Sequence, residues 1–205
     1  MGRSRTSQFQ DPTGIAGRIA GRLMAVTNGG MNRFALEMLH PGRADAVLEI
    51  GYGPGTMIAL LARNAPAGFV AGVDPSATML AQARARNRAA VREGRVELKL
   101  GSVSAIPYGD ARFDAAVSVN TIYFWPDGPI DVREVRRVLK PGGMLVLTFR
   151  VQQTEDGHAR LRMVSGPLPV SEVERWLRDA GFHDIRREVR RITPFTAATI
   201  VAHAR

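Results

Sequence analysis

Short apolar runs alternate with amphipathic stretches along this chain of 205 residues. Ala46 to Ile50, Phe69 to Val73, Val96 to Leu100, Ala115 to Val119 and Met144 to Phe149 have strand length and strand character. Between them, helical spacing covers Thr56 to Asn64, Ser76 to Arg92 and Ile130 to Leu139. Such alternation predicts parallel strands joined by crossover helices, an α/β doubly wound sheet whose ligands bind beyond the carboxyl ends of the strands. After position 170 the rhythm changes. Val170 to Ala180 reads as a helix stopped by Gly181, and Ile185 to Ile192 and Ala197 to His203 flank Thr193-Pro194-Phe195. That spacing predicts an antiparallel C-terminal hairpin on a sheet edge, giving a mostly parallel seven-stranded sheet. Gln152 to Pro169, polar and marked by Gly157, Gly166, Pro167 and Pro169, reads as a loop.

Ahead of the alternating core, Ile15, Ile19 and Leu23 lie four apart on one helical face, with Arg18 and Arg22 beside it and Gly17 and Gly21 weakening the helix. This segment is a packing helix, a lid or a membrane-touching helix. A second helix is predicted from Asn32 to Leu39, ending before Pro41. The expected organisation is one domain over 1–205, with covering N-terminal helices (1–40), a core (45–150) and a C-terminal helix and hairpin (170–205).

Composition is that of a soluble globular protein, 45% hydrophobic and 23% charged. No run approaches transmembrane length and MGRSRTSQFQDP lacks a signal-peptide core, so a cytoplasmic location is expected. With no cysteine, disulfides, thiolate nucleophiles and cysteine metal sites are excluded, and no metal centre is predicted. The net charge of +9 suggests a polyanion partner, yet lysine occurs only as Lys99 and Lys140 and the arginines are spread along the chain. The densest groups, Arg84 to Arg95 and Arg186 to Arg191, are not interleaved with aromatics, which favours solvated faces over a nucleic-acid surface. Acidic substrates, anionic membranes and a homodimer stay open.

The stretch VLEIGYGPGT, Val47 to Thr56, reads as a buried strand running into a glycine turn that closes on a nucleotide-like ligand. Glu49 breaks the apolar run with a charge that needs a partner. A dinucleotide fingerprint would place its third glycine where Thr56 stands, which disfavours a nicotinamide-dependent oxidoreductase. Asp74, at the tip of the second strand, suits the two hydroxyls of a ribose, or caps the next helix.

Four motifs then occur in order: E-x-G-x-G-x-G at Glu49 to Gly55, the acid in GVDPSATML at Asp74, GSVSAIPYGDARFDAAVS, and VLKPGGMLVL. Over roughly residues 45 to 150 the chain resembles a class I S-adenosylmethionine-dependent methyltransferase of Rossmann-like fold. The likeness is to the small-molecule, type 11 group typified by quinone-biosynthesis methyltransferases. The resemblance implies S-adenosyl-L-methionine as cofactor. Gly51 and Gly53 would pass along its methionine portion, with Glu49 near the ammonium group or fixing the loop. Tyr52 would cover the sulfonium. Asp74, with Pro75 beside it, would hold the ribose, and Met79 would pack on the adenine. Where many relatives carry an aspartate after the glycine of the third motif, this chain has Ser102, a shorter neutral acceptor, while the backbone of Val103 serves the ring edge. Asn120 would face the sulfonium, and Pro141, Gly142 and Gly143 form a structural turn.

Methyl transfer from a sulfonium asks mainly for alignment and exclusion of water. A general base is needed only for an acceptor that arrives protonated. Asn120, Tyr123, Phe124 and Trp125 follow the fourth strand directly, where an acceptor pocket, an aromatic cage or plain core packing would use them. The catalytic candidates are Asn120, Tyr123 and His158, ahead of His40, His183 and His203; the substrate-binding candidates are Tyr123, Trp125 and Arg150, the last through an acidic substrate. The expected reaction is transfer of a methyl group to oxygen, nitrogen or carbon of a small molecule. An RNA-binding methyltransferase is the alternative from a different class, although the tetrapeptide expected for base or amide methylation is replaced by Asn120-Thr121-Ile122-Tyr123.

Overall fold

Residues buried on both faces make the central strands, which is why they read as unbroken apolar runs rather than alternating ones. The computed structural model describes residues 28–153, 159–163 and 166–205. The helix expected over Gly14 to Val26 and the candidate base His158 lie outside the described residues. In chain order the elements are α1 (Gly29–Leu39), β1 (Ala46–Ile50), α2 (Thr56–Asn64), β2 (Phe69–Asp74), α3 (Ala77–Arg86), α4 (Arg88–Arg92) and β3 (Val96–Leu100). They continue with β4 (Phe113–Val119), a 3-10 turn (Ile122–Phe124), α5 (Gly128–Val138), β5 (Leu139–Gln153), β6 (Ala159–Met163), β7 (Gly166–Pro169), α6 (Val170–Asp179), β8 (Phe182–Ile192) and β9 (Phe195–Ala204).

The main sheet runs β3-β2-β1-β4-β5-β9-β8, parallel as far as β5 and antiparallel through the β9 and β8 hairpin. These are the seven strands and the edge hairpin that the hydrophobic pattern predicts. Successive residues of β1 face opposite cores. Val47 packs with Phe34 of α1, Met57 and Leu61 of α2 and Met79 of α3. Leu48 and Ile50 pack with Val132 and Val135 of α5 and Val173 and Leu177 of α6. Among the described residues no helix is long and apolar enough to cross a membrane.

Two expectations are corrected. The helix expected from Ser76 to Arg92 is broken at Asn87, which separates α3 from α4. The loop expected from Gln152 to Pro169 contains the end of β5 and the short antiparallel strands β6 and β7. Pro167 and Pro169 sit on an edge, where a missing N–H is tolerated. These strands are held by tertiary burial: Leu161 is buried in the α5–α6 core and Leu168 packs against it.

The basic clusters are partly committed to structure. Arg190 reaches Glu37 of α1 at 2.5 Å and lies over the Phe34 ring, while Arg187 pairs with Glu174 of α6 at 3.5 Å. The arginines of β8 also charge the outer edge of the sheet, which discourages strand addition there.

Candidate active site

β1 lies between β2 and β4, with Ile50 opposite Val73 on one side and Ser118 on the other. The order of strands reverses here, so their carboxyl ends part and leave a crevice. The glycine turn fills its floor. The Gly51 N–H donates to the Val73 carbonyl at 2.8 Å, and the Gly55 N–H to the Tyr52 carbonyl at 2.9 Å. A Cβ on Gly51 would stand 2.3 Å from Cγ2 of Thr121, and one on Gly55 2.8 Å from the Ala83 backbone, so both positions demand close approach as well as a positive φ. At Gly53 the space a side chain would take is open.

That opening belongs to a cavity of about 400 Å³. Every residue expected at the cofactor site lines it: Glu49, Gly51, Tyr52, Gly53, Asp74, Pro75, Met79, Ser102, Val103 and Asn120. Asp74 is fixed at both oxygens, accepting from the Gly53 N–H and the Ser76 N–H at 2.9 Å each. The cap of α3 is Ser76, whose hydroxyl accepts from the Met79 N–H, so Asp74 organises the loop without serving as the helix cap. A carboxylate has about four acceptor sites, and two backbone bonds leave capacity for a ligand's hydroxyls.

Glu49 is buried and carries one oxygen, Oε2, without a hydrogen-bond partner; the buried Thr56 hydroxyl also lacks one. Burial, and then the neighbouring Asp74 charge, push the Glu49 carboxyl well above the usual range, partly opposed by the Ile58 N–H of α2. Burial raises Asp74 too, against the Ser76 and Gly53 N–H groups. Two carboxylates in one cavity wall, one of them with an oxygen left unpaired, fit a ligand bearing positive charge and hydroxyls, as S-adenosylmethionine does. The ring of Tyr52 covers Gly72 of β2 and its hydroxyl donates to the Lys99 carbonyl at 3.2 Å, so it forms part of the cavity floor.

The Ser102–Val103 loop is shaped from α5. Ser104 bonds the fully buried Asp131 at 2.6 Å, Glu134 accepts from the Ile106 N–H at 2.8 Å, and Arg137 reaches the Ile106 and Tyr108 carbonyls.

At the end of β4 the chain turns through Asn120 at φ 59°. Its amide donates to Asn28 Oδ1 at 2.9 Å and to the Met31 sulfur at 3.1 Å, and its oxygen accepts from the Tyr123 hydroxyl at 3.2 Å. The 3-10 turn sends the three aromatics in different directions. Trp125 lines the cavity and donates to Thr121 Oγ1 at 3.2 Å, whereas Phe124 is exposed at the cavity's edge. The Tyr123 hydroxyl leaves the cavity wall and bonds the backbone of Arg150 on β5. Neither Tyr123 nor Arg150 lines the cavity. The described histidines, His40, His183 and His203, are also absent from its wall.

Sequence reasoning missed Asn28, Asn32 and Thr56 as lining residues and Thr121 as the contact that seats the glycine turn. Asn28 had a legible signal, an Asn before a glycine pair at a helix start, but its approach to Asn120 is tertiary.

Residues 48–147 match the methyltransferase domain family. The uncharacterized methyltransferase YdaC of Bacillus subtilis is 28% identical over 176 residues, covering 86% of this chain and 92% of that protein. The chain belongs to the class I S-adenosylmethionine-dependent methyltransferases. The fatty-acid O-methyltransferase of Mycolicibacterium smegmatis is 30% identical over 124 residues, spanning 58% of this methyltransferase and 44% of the relative. The fold is shared with phosphoethanolamine N-methyltransferase 2 of Haemonchus contortus, solved with phosphomonomethylethanolamine and S-adenosylhomocysteine. The TM-score is 0.69 at 19% identity, covering 85% of this methyltransferase and 52% of that chain.

Proposed function

We propose that this methyltransferase transfers the methyl group of S-adenosylmethionine to a small-molecule acceptor, at oxygen, nitrogen or carbon, by proximity and orientation. One observation carries the reading: a single cavity joins the acidic glycine-turn end, Glu49 and Asp74, to a wall made by Val119, Phe124 and Trp125. The names of characterised relatives, a fatty-acid O-methyltransferase among them, support a small acceptor.

When bound, the cofactor supplies an electrophilic methyl group on a good leaving group. The residues of the chain do the rest. Asp74 accepts the ribose hydroxyls, Glu49 and the glycine turn hold the methionine end, and Met79 with Val103 encloses the adenine. Phe124 and Trp125 exclude water beside the reacting centre, which strengthens every polar interaction there. Asn120, held from three sides, gives the acceptor side a fixed wall, and fixed alignment of two reactants is worth several orders of magnitude in rate.

Calorimetric titration with S-adenosylhomocysteine and with a nicotinamide dinucleotide tests the cofactor. Binding of the first and not the second is expected, and the reverse would overturn the reading. Screening small metabolites against RNA for S-adenosylhomocysteine production tests the acceptor class, and turnover on RNA alone would overturn it.

A further inference from the structure

We propose that Asn32 donates to the α-carboxylate of S-adenosylmethionine, and that this chain holds that carboxylate with neutral donors and no side-chain cation. The inference rests on the methyltransferase reading above and adds a binding residue to it. Asn32 is 5% exposed and lines the cavity. Its backbone N–H is committed at the head of α1, to the Asn28 carbonyl at 2.8 Å, while its side-chain amide has no hydrogen-bond partner among the described residues. An amide buried in that way is costly until a ligand's polar group reaches it.

The cofactor brings two charges at its methionine end, an ammonium group and a carboxylate. Glu49 answers the first. For the second the cavity wall offers no lysine, arginine or histidine among the described residues, although the chain carries a net charge of +9. Neutral donors must serve, and several of those in the wall are spent. Asn120 gives its amide to Asn28 Oδ1 and the Met31 sulfur, Trp125 its indole N–H to Thr121, and Tyr52 its hydroxyl to the Lys99 carbonyl. The amide of Asn32 keeps two N–H groups to give. A bond from one of them to a carboxylate is charge-assisted, and so stronger than a bond between neutral groups.

Position selects the methionine end. In the sheet order β3-β2-β1-β4-β5, Asp74 ends β2 and Ser102 follows β3, so the ribose and adenine, on the assignments above, lie on that side. α1 packs on the other side, against β4 and β5, and Met31, next to Asn32, meets Asn120 at the end of β4. Asn32 stands one helical turn beyond Asn28, on the face of the helix start that both residues present to the cavity. α1 also touches α2, whose first residue, Thr56, lines the same cavity with a second hydroxyl or amide donor that lacks a partner.

The test compares S-adenosylmethionine with its decarboxylated form, which keeps the sulfonium, ribose, adenine and amine and lacks only the carboxylate, by calorimetric titration of the full chain. The wild-type protein is expected to bind S-adenosylmethionine about tenfold more tightly than the decarboxylated form. Asn32→Leu is expected to lose most of that preference by weakening S-adenosylmethionine alone, with the affinity for the decarboxylated form unchanged. Asn32→Ala, which asks for no extra space, is expected to do the same. No preference in the wild type, a preference that survives in both variants, or equal weakening or loss of both ligands would overturn the proposal. Failure of S-adenosylmethionine itself to bind the wild-type protein would instead overturn the reading on which it rests.

Discussion

The side-chain amide of Asn87 donates to the backbone carbonyl of Gly55, 3.0 Å away and 32 residues earlier in the chain. It also bonds the Ala83 carbonyl at 2.9 Å, so the break between α3 and α4 anchors the back of the glycine turn. Asn87→Leu removes that bond while the Ala59 N–H still reaches the Gly55 carbonyl at 3.2 Å, so the cost is that of a lost buried hydrogen bond, about 0.5–1.5 kcal/mol. Urea denaturation is expected to show that loss, and calorimetry a weaker affinity for S-adenosylhomocysteine. An unchanged affinity in a destabilised variant would mean that the turn holds its shape without Asn87.

Asp74 joins two roles, fixing the Gly53 N–H and facing the cavity. Asp74→Ala removes a charge-assisted acceptor worth about 1.5–3 kcal/mol, so affinity for S-adenosylhomocysteine is expected to fall by about tenfold or more. The circular dichroism spectrum and a cooperative thermal transition are expected to remain, since Asp74 sits at a strand tip and not within the apolar core. Asp74→Asn, which keeps one oxygen, is expected to fall between the two. Full affinity in Asp74→Ala would rule out the ribose contact.

Sequence and structure agree most closely where neighbours in the chain are neighbours in space. Parallel strands buried on both faces announce themselves as apolar runs, and the glycine turn and Asp74 are each short continuous motifs. The break at Asn87 was hidden because its reason is a carbonyl on another element. β6 and β7 were hidden because one buried leucine, Leu161, and the packing of Leu168 against the core stabilise segments otherwise rich in arginine and proline. Tyr123, Phe124 and Trp125 gave one aromatic signal, yet the 3-10 turn assigns them to β5, to the cavity's edge and to the cavity wall. Tyr52 sits in the expected loop, and the missing Cβ of Gly72 leaves room for its ring on β2.

Tyr123, whose hydroxyl bonds Asn120 Oδ1, is expected to position that residue rather than to act as a base. Burial pushes its hydroxyl up to about 12, so it stays protonated near neutral pH, and that proton holds the Asn120 oxygen or the Arg150 carbonyl. Tyr123→Phe removes the tie between the ends of β4 and β5 and frees Asn120, which sits at a positive φ. A stability loss of about 1 kcal/mol is expected, with S-adenosylhomocysteine affinity little changed. Once an acceptor is in hand, turnover is expected to drop mainly in kcat, with a pH profile of unchanged shape. Loss of a limb from that profile would instead assign Tyr123 to proton transfer.

Glu49 ties ligand binding to protons. Its carboxyl titrates well above the usual glutamate value of 4.5 because it is buried beside Asp74. A raised carboxyl binds its proton more firmly in the folded state, so its contribution to stability is full below the unfolded value and is lost as pH rises through the folded one. The ligand-free protein is therefore expected to lose stability from Glu49 as pH climbs above 4.5, and Glu49→Gln to flatten that slope and raise the neutral-pH melting temperature. A bound ammonium group reverses the balance by favouring the charged carboxylate. Binding of S-adenosylhomocysteine is then expected to release protons, read as a heat that differs between phosphate and Tris buffers, and Glu49→Gln is expected to abolish most of that difference. Proton uptake on binding, or equal release from the variant, would separate Glu49 from the methionine end of the cofactor.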